Sequence, residues 1–182
     1  MVDEPREEVT MPEMDMSEAE SQRPPSAGWH PALLLDADTA YSKDDLDLPV
    51  PARRRNFVLS VSLAPDDPEA PGKKVGNLYV PIPTNLEADF HFKLYKPASK
   101  DERIQLMSSN PDMFASDGRT KYSQKMDWIK KAGAAFGGKE SGKFDKNFFV
   151  KQVGSRFMVN LEHQTWQGEI QARCSFMGIK PA

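Results

Sequence analysis

Cysteine is almost absent from this chain: Cys174 is the only one in 182 residues. That excludes an intrachain disulfide framework and a zinc ribbon, and makes a reducing cytoplasm the expected setting. Long apolar runs are missing as well. No stretch reaches 18 apolar residues, so no membrane-spanning helix and no membrane partner are expected. The opening MVDEPREEVTMPEMDMSEAE is acidic and lacks an apolar core, unlike a secretory signal.

Enzyme signatures are scarce too. The three histidines, His30, His91 and His163, lie far apart and lack metal-ligand spacing. No GxxxxGK[ST] loop occurs, and no GxSxG or Cys–His signature surrounds Cys174, whose alternating position reads as a core thiol. The acid pairs Asp44–Asp45 and Asp66–Asp67 fall in turns, where Asp commonly bonds its own backbone. A two-metal nuclease needs carboxylates converging from ordered elements, which this spacing does not supply. GAAFGG reads as a helix end followed by glycine rather than a phosphate cradle. The expectation is a protein that is not an enzyme, with no metal and no cofactor.

What is present is proline and unevenly placed charge. A hydrophobic share of 38% with 15 prolines suggests that part of the length is unpacked around a single domain. The net charge of −3 conceals a division: residues 1–50 carry 13 acids and 3 bases, whereas residues 51–182 carry 14 acids and 21 bases. Residues 119–156 hold ten Lys or Arg against three acids. An acidic arm on a basic body fits a polyanion-binding domain whose tail imitates the ligand or recruits a partner. A tail that only keeps the protein soluble fits the same charges.

Residues 1–26 read as a disordered acidic arm closed by Pro24 and Pro25, and 27–182 as one domain. ALLLDAD (32–38) is strand-like, with a helical turn as the alternative, and a polar loop with Pro49 and Pro51 follows. NFVLSVSLAP alternates cleanly, with Phe57, Leu59, Val61 and Leu63 on one face. After the turn DDPEAPGKKVG, VGNLYVPIP is a third strand whose prolines mark an edge or an end. DERIQLMSS is a short helix with Ser99 as its cap, and KYSQKMDWIKKAGAAF a longer one with Tyr122, Met126, Ile129 and Gly133 on one face. FDKNFFV is a helical turn or a short extended piece. SRFMVNLEHQ and IQARCSFMGI form a hairpin, with Phe157 and Phe176 expected in the core alongside Phe57. The fold class is therefore mainly β with a helical insert (α+β). Three strands, a helical insert and two strands is the order of a five-stranded oligonucleotide/oligosaccharide-binding (OB) barrel, an order that other small α+β sheets share.

Single-strand binders combine Lys or Arg that follow phosphates with flat side chains on which bases stack. FHFKLYK interleaves Phe90, Phe92 and Tyr95 with Lys93 and Lys96. Residues 119–149 interleave Arg119, Lys121, Lys125, Lys130, Lys131, Lys139, Lys143 and Lys146 with Tyr122, Trp128, Phe136, Phe144, Phe148 and Phe149. Trp128, on the lysine-bearing side of its helix, and Trp166, at the hairpin turn, are the better stacking candidates, since most Phe in a small barrel are core. Arg156 and His163 on the fourth strand complete the candidate DNA-binding set, while His163 alone reads as a surface or groove residue.

SAGWHPALLLDADTAYSKDD, NFVLSVSL and GSRFMVNLEHQTWQGEIQARCSFMGI together resemble phage and prophage single-stranded DNA-binding proteins with an OB fold. The hairpin pattern is carried by Gly154, Phe157, Val159, His163 and Gly168, and the resemblance covers about residues 26–179. The insert at 84–118 and the N-terminal position of the acidic arm depart from that family. The resemblance implies single-stranded DNA as ligand, action in replication and recombination, and a recombinase, annealing protein or polymerase as protein partner, with a homo-oligomer also compatible. The rival readings are a protein-interaction module whose basic face meets an acidic protein, and a nuclease.

Overall fold

The computed structural model describes residues 12–13, 23–137 and 145–182. Most of the acidic arm therefore lies outside the described residues, as do Lys139, Lys143 and Phe144. Five strands build one antiparallel sheet: β1 (Gly28–Tyr41), β2 (Arg55–Leu63), β3 (Lys74–Ile82), β4 (Arg156–Trp166) and β5 (Glu169–Pro181), in the order β3-β2-β1-β4-β5. Three helices fall between β3 and β4: α1 (Asn85–Tyr95), α2 (Lys100–Ser109) and α3 (Lys121–Ala135). The architecture is mixed α+β, with the helical insert where the sequence order places it.

Strand β1 carries the curvature. Its first half pairs with β4, from Gly28↔Leu161 to Leu33↔Arg156. Its second half pairs with β2, from Ala32↔Leu63 to Tyr41↔Arg55, and the register slips between Leu34 and Asp36. Such a slip bends a strand and raises its twist, so one long strand serves two partners. On β2 the alternation resolves as the pattern requires, with Phe57, Leu59, Val61 and Leu63 all buried.

The sheet does not close. Strands β3 and β5 are its two edges, and among the described residues no backbone ladder joins them. The two edges nevertheless approach each other: Cys174 Sγ lies 3.7 Å from the Val75 carbonyl, and α3 packs against both edges. The barrel expected from the strand order is thus an open sheet with a seam between its edges.

Aromatic rings fill the space under the sheet. Phe57 and Phe149 meet edge to face with centroids 4.8 Å apart, and Phe136 and Phe157 do the same at 4.8 Å. Each such pair adds about 0.5–1.5 kcal/mol beyond the area it buries. Phe136 and Phe149 belong to this core, and Phe148 packs against it. The basic–aromatic interleaving of residues 119–149 therefore does not present these rings to a ligand; their apolar area is worth more inside a small core than in water.

Helix α1 falls in a segment whose sequence pattern does not predict a helix. It opens with a reciprocal cap: Thr84 Oγ1 accepts from the Glu87 N–H at 3.1 Å, and Glu87 Oε1 accepts from the Thr84 N–H at 2.8 Å. Ser99 caps α2 as expected, accepting from the Glu102 N–H at 3.2 Å, and Thr120 Oγ1 accepts from the Ser123 N–H at the start of α3. The β4–β5 hairpin turns through Gln167 and Gly168, both at positive φ (50° and 80°), the conformation that suits a tight two-residue hairpin.

Strand β5 departs from simple alternation at one place. Val159 pairs with Ile179 but Leu161 pairs with Cys174, so residues 175–178 oppose the single residue Asn160. Met177 takes a left-handed φ of 52°, and a Cβ on Gly178 would lie 2.8 Å from that of Asn160. This wide bulge turns Met177 inward and Phe176 outward. Phe176, expected in the core, is 61% exposed.

Candidate nucleic-acid interface

Of the candidate residues from the sequence, one group gathers on α1. Phe92, Lys93, Tyr95 and Lys96 are all exposed there, while Phe90 and Leu94 turn into the protein. Tyr95 and Tyr122 flank the His91 ring, with centroids 4.6 and 4.4 Å away. Burial holds His91 below the usual imidazole range. Its Nδ1 lies 2.7 Å from Thr120 Oγ1, so the cluster joins α1 to the start of α3.

The second group lies on α3 and beside it, with Arg119 just before the helix and Arg156 at the start of β4, and much of its charge is already engaged. Lys125 Nζ sits 2.7 Å from Glu87 Oε1, with side chains only 14% and 8% exposed. Lys131 donates to the Met177 carbonyl at 3.2 Å, tying the helix to the bulge. Arg119 pairs with Asp117 at 2.8 Å and also with Asp127. Arg156 pairs with Asp66 at 2.7 Å. Lys121 and Lys130 form no ion pair among the described residues, and Lys130 is exposed. Trp128 is half-buried and meets the exposed Phe176 edge to face at 5.1 Å. Helix α3 therefore runs from the α1 patch to the bulge, about 22 Å at 1.5 Å per residue.

The open seam holds a groove that the sequence did not reveal. It has a volume of about 810 Å³ and is walled by the β3 edge, Lys73 to Tyr79, and the β5 edge, Ile170 to Phe176. Its cations are Lys73, Lys74 and Arg173, none of which forms an ion pair among the described residues; Glu162 is the acid beside them. Tyr79, 52% exposed, Ile170 and Phe176 supply flat or apolar surface. Cys174 is half-buried at this seam rather than in the core, and desolvation pushes its thiol up to about 12. Trp166 stands exposed at the hairpin tip.

The root of the acidic arm is fixed beside the groove. His163 Nε2 lies 2.7 Å from the Pro25 carbonyl, Pro25 is buried, and Pro24 lines the groove. Ser26 donates from its N–H and its hydroxyl to the Glu69 carboxylate at 2.6 and 2.7 Å. Behind it, the buried His30 places Nδ1 at 2.9 Å from Asp67 Oδ1 and Nε2 at 2.8 Å from the Ser26 carbonyl. Burial alone would lower the His30 pKa, but the bonds to Asp67 and to the Ser26 carbonyl outweigh it and leave the pKa raised. With a proton on each nitrogen the ring donates to both acceptors. Ser26, His30 and Asp67 look like a hydrolytic relay only by name. His30 faces the main-chain carbonyl of Ser26, and the hydroxyl donates to Glu69, so the imidazole is not the base of that hydroxyl.

Among the described residues no cluster of three His, Cys, Asp or Glu side chains is arranged to hold a metal ion, and no helix is long and apolar enough to cross a membrane. No protein-family model matches the chain, and no curated protein matches it in sequence.

Proposed function

We propose that this protein binds single-stranded DNA without catalysis, as an OB-type barrel left open along one seam, and serves DNA replication and recombination in the cytoplasm. The observation that carries this reading is the seam groove, where Lys73, Lys74 and Arg173, which form no ion pair among the described residues, lie beside the exposed rings of Tyr79 and Phe176. Cations near phosphates release counterions, and rings accept bases of any sequence, each stacked base contributing ~1–3 kcal/mol. Lys130 and Trp128 on α3, then Lys93, Tyr95 and Lys96 on α1, extend the same chemistry away from the groove. A recombinase, annealing protein or polymerase is the protein partner this role calls for.

Titration of the intrinsic tryptophan fluorescence with oligo-dT and with duplex DNA, at about 50 and 200 mM salt, tests the reading. The expected result is a salt-dependent change with the single strand and none with the duplex. No response to either would overturn it. Intact labelled single strands after incubation with Mg²⁺ or Mn²⁺ are expected, and cleavage would reinstate a nuclease.

A second reading has its own observation. Helix α2 buries none of its residues and leaves Ile104 and Met107 exposed, which favours a protein contact on that side of the insert. A partner captured through α2, with no response to DNA, would make the protein an interaction module.

A further inference from the structure

We infer that the seam groove is also the docking site of this chain's own residues 14–20, MDMSEAE, which lie along it and exclude other polyanions. The inference begins with where the arm leaves the body. Three side chains hold its root: His163 on the Pro25 carbonyl, His30 on the Ser26 carbonyl, and Glu69 on the Ser26 N–H and hydroxyl. Pro24 and Pro25 restrict the backbone that follows these bonds toward the N-terminus, because each ring fixes φ near −65°. Pro24 already forms part of the groove wall. The arm is thus delivered to one place on the surface rather than released at large.

Length and charge then select the segment. The groove follows seven residues along the β3 edge, Lys73 just before the strand and Lys74 to Tyr79 within it, about 23 Å of extended chain. Residues 14–20 are also seven, and the three residues between them and Pro24 span at most about 14 Å. Within the segment Asp15, Glu18 and Glu20 match in number the three groove cations Lys73, Lys74 and Arg173. Met14 and Met16 are suited to the exposed rings of Tyr79 and Phe176, since thioether sulfur packs favourably against aromatic edges. Residues 1–22 as a whole carry eight acids and one base, so their effective concentration beside the groove is set by a short tether and not by dilution.

The contact stands without any external ligand; its consequence, that a DNA strand must displace the segment, rests on the function proposed above. The test is carbodiimide coupling of the full chain at low salt without DNA, read by mass spectrometry. The expected product is an intrachain amide between Asp15, Glu18 or Glu20 and Lys73 or Lys74. It should be lost in D15N/E18Q/E20Q and at high salt. Hydrogen exchange of residues 73–79 and 170–176 should lose protection in the same variant, which alters no residue of the folded body. Coupling only between chains, or exchange identical in the two proteins, would overturn the inference. Oligo-dT titration then separates the two readings. Tighter binding by the variant at low salt, converging with the parent as salt rises, supports both. Coupling without any DNA response leaves the docked segment standing and removes DNA as its competitor.

Discussion

Replacing Lys73, Lys74 and Arg173 together by Ala is the perturbation with the clearest magnitude. All three are exposed, and none forms an ion pair among the described residues, so their loss should change stability by no more than about 0.5 kcal/mol each. The effect should therefore fall on binding. A cation that neutralises a phosphate of a single strand contributes about 0.7 to the slope of log affinity against log salt. Three such contacts contribute about 2, so a fourfold rise in salt should narrow the gap between parent and variant roughly 18-fold. Tryptophan fluorescence titration with oligo-dT across that range reads the slope directly, because Trp128 lies against Phe176. Thermal melts of both proteins should superimpose. A variant that melts like the parent and keeps the parent's salt slope would refute a DNA path through the seam, and would move it to Lys93 and Lys96 on α1.

Three other changes should report on the parts that hold this site. Lys125→Ala leaves Glu87, a buried carboxylate that also caps α1, without its cation; chemical denaturation should show a loss of about 1–3 kcal/mol, and an unchanged midpoint would mean the pair is not formed. The raised His30 pKa stabilises the fold fully below the unfolded value of about 6.5 and loses that contribution as pH climbs through the folded value. Denaturation midpoints should accordingly decline in the parent as pH rises above about 6.5, and a decline of the same size in His30→Gln would discount the clasp. Because burial pushes the Cys174 thiol up to about 12, iodoacetamide should label it slowly near neutral pH and rapidly after denaturation; equal rates would place the thiol outside the seam.

The strands were legible because burial on one face forces period two. Phe57, Leu59, Val61 and Leu63 show it on β2, and Phe157, Val159 and Leu161 on β4, and all are buried. Helix α1 was not legible from periodicity, since its aromatic run turns only Phe90 and Leu94 inward among its large apolar residues. The spacing Thr84-x-x-Glu87 was the available signal, a reciprocal cap that the run FHFKLYK obscured. Phe176 misled for a different reason. Alternation predicts its face correctly only if β5 is unbroken, and four residues opposite Asn160 shift every position beyond Cys174. Gly178, the position where Asn160 leaves no room for a Cβ, was the hint.

The seam itself has no local signature, because its two walls lie almost a hundred residues apart and meet only through the order of the strands. Charge density along the chain points instead to residues 119–156. The fold alters that weighting by the acids it brings alongside: Glu87 for Lys125, Asp117 and Asp127 for Arg119, Asp66 for Arg156. Lys131 is drawn to the Met177 carbonyl, where it braces the bulge that exposes Phe176. A cation with a fixed internal partner has less to gain from a phosphate, since a new contact must first compete with the old one. Lys73, Lys74 and Arg173 are fewer and more scattered, yet none is held by a carboxylate among the described residues, and Arg173 meets only the neutral Gln171 Oε1, at 3.4 Å. The most basic helix thus acts largely as the brace between the α1 cluster and the β5 bulge, and the proposed polyanion path falls instead on the edges the sheet leaves unpaired.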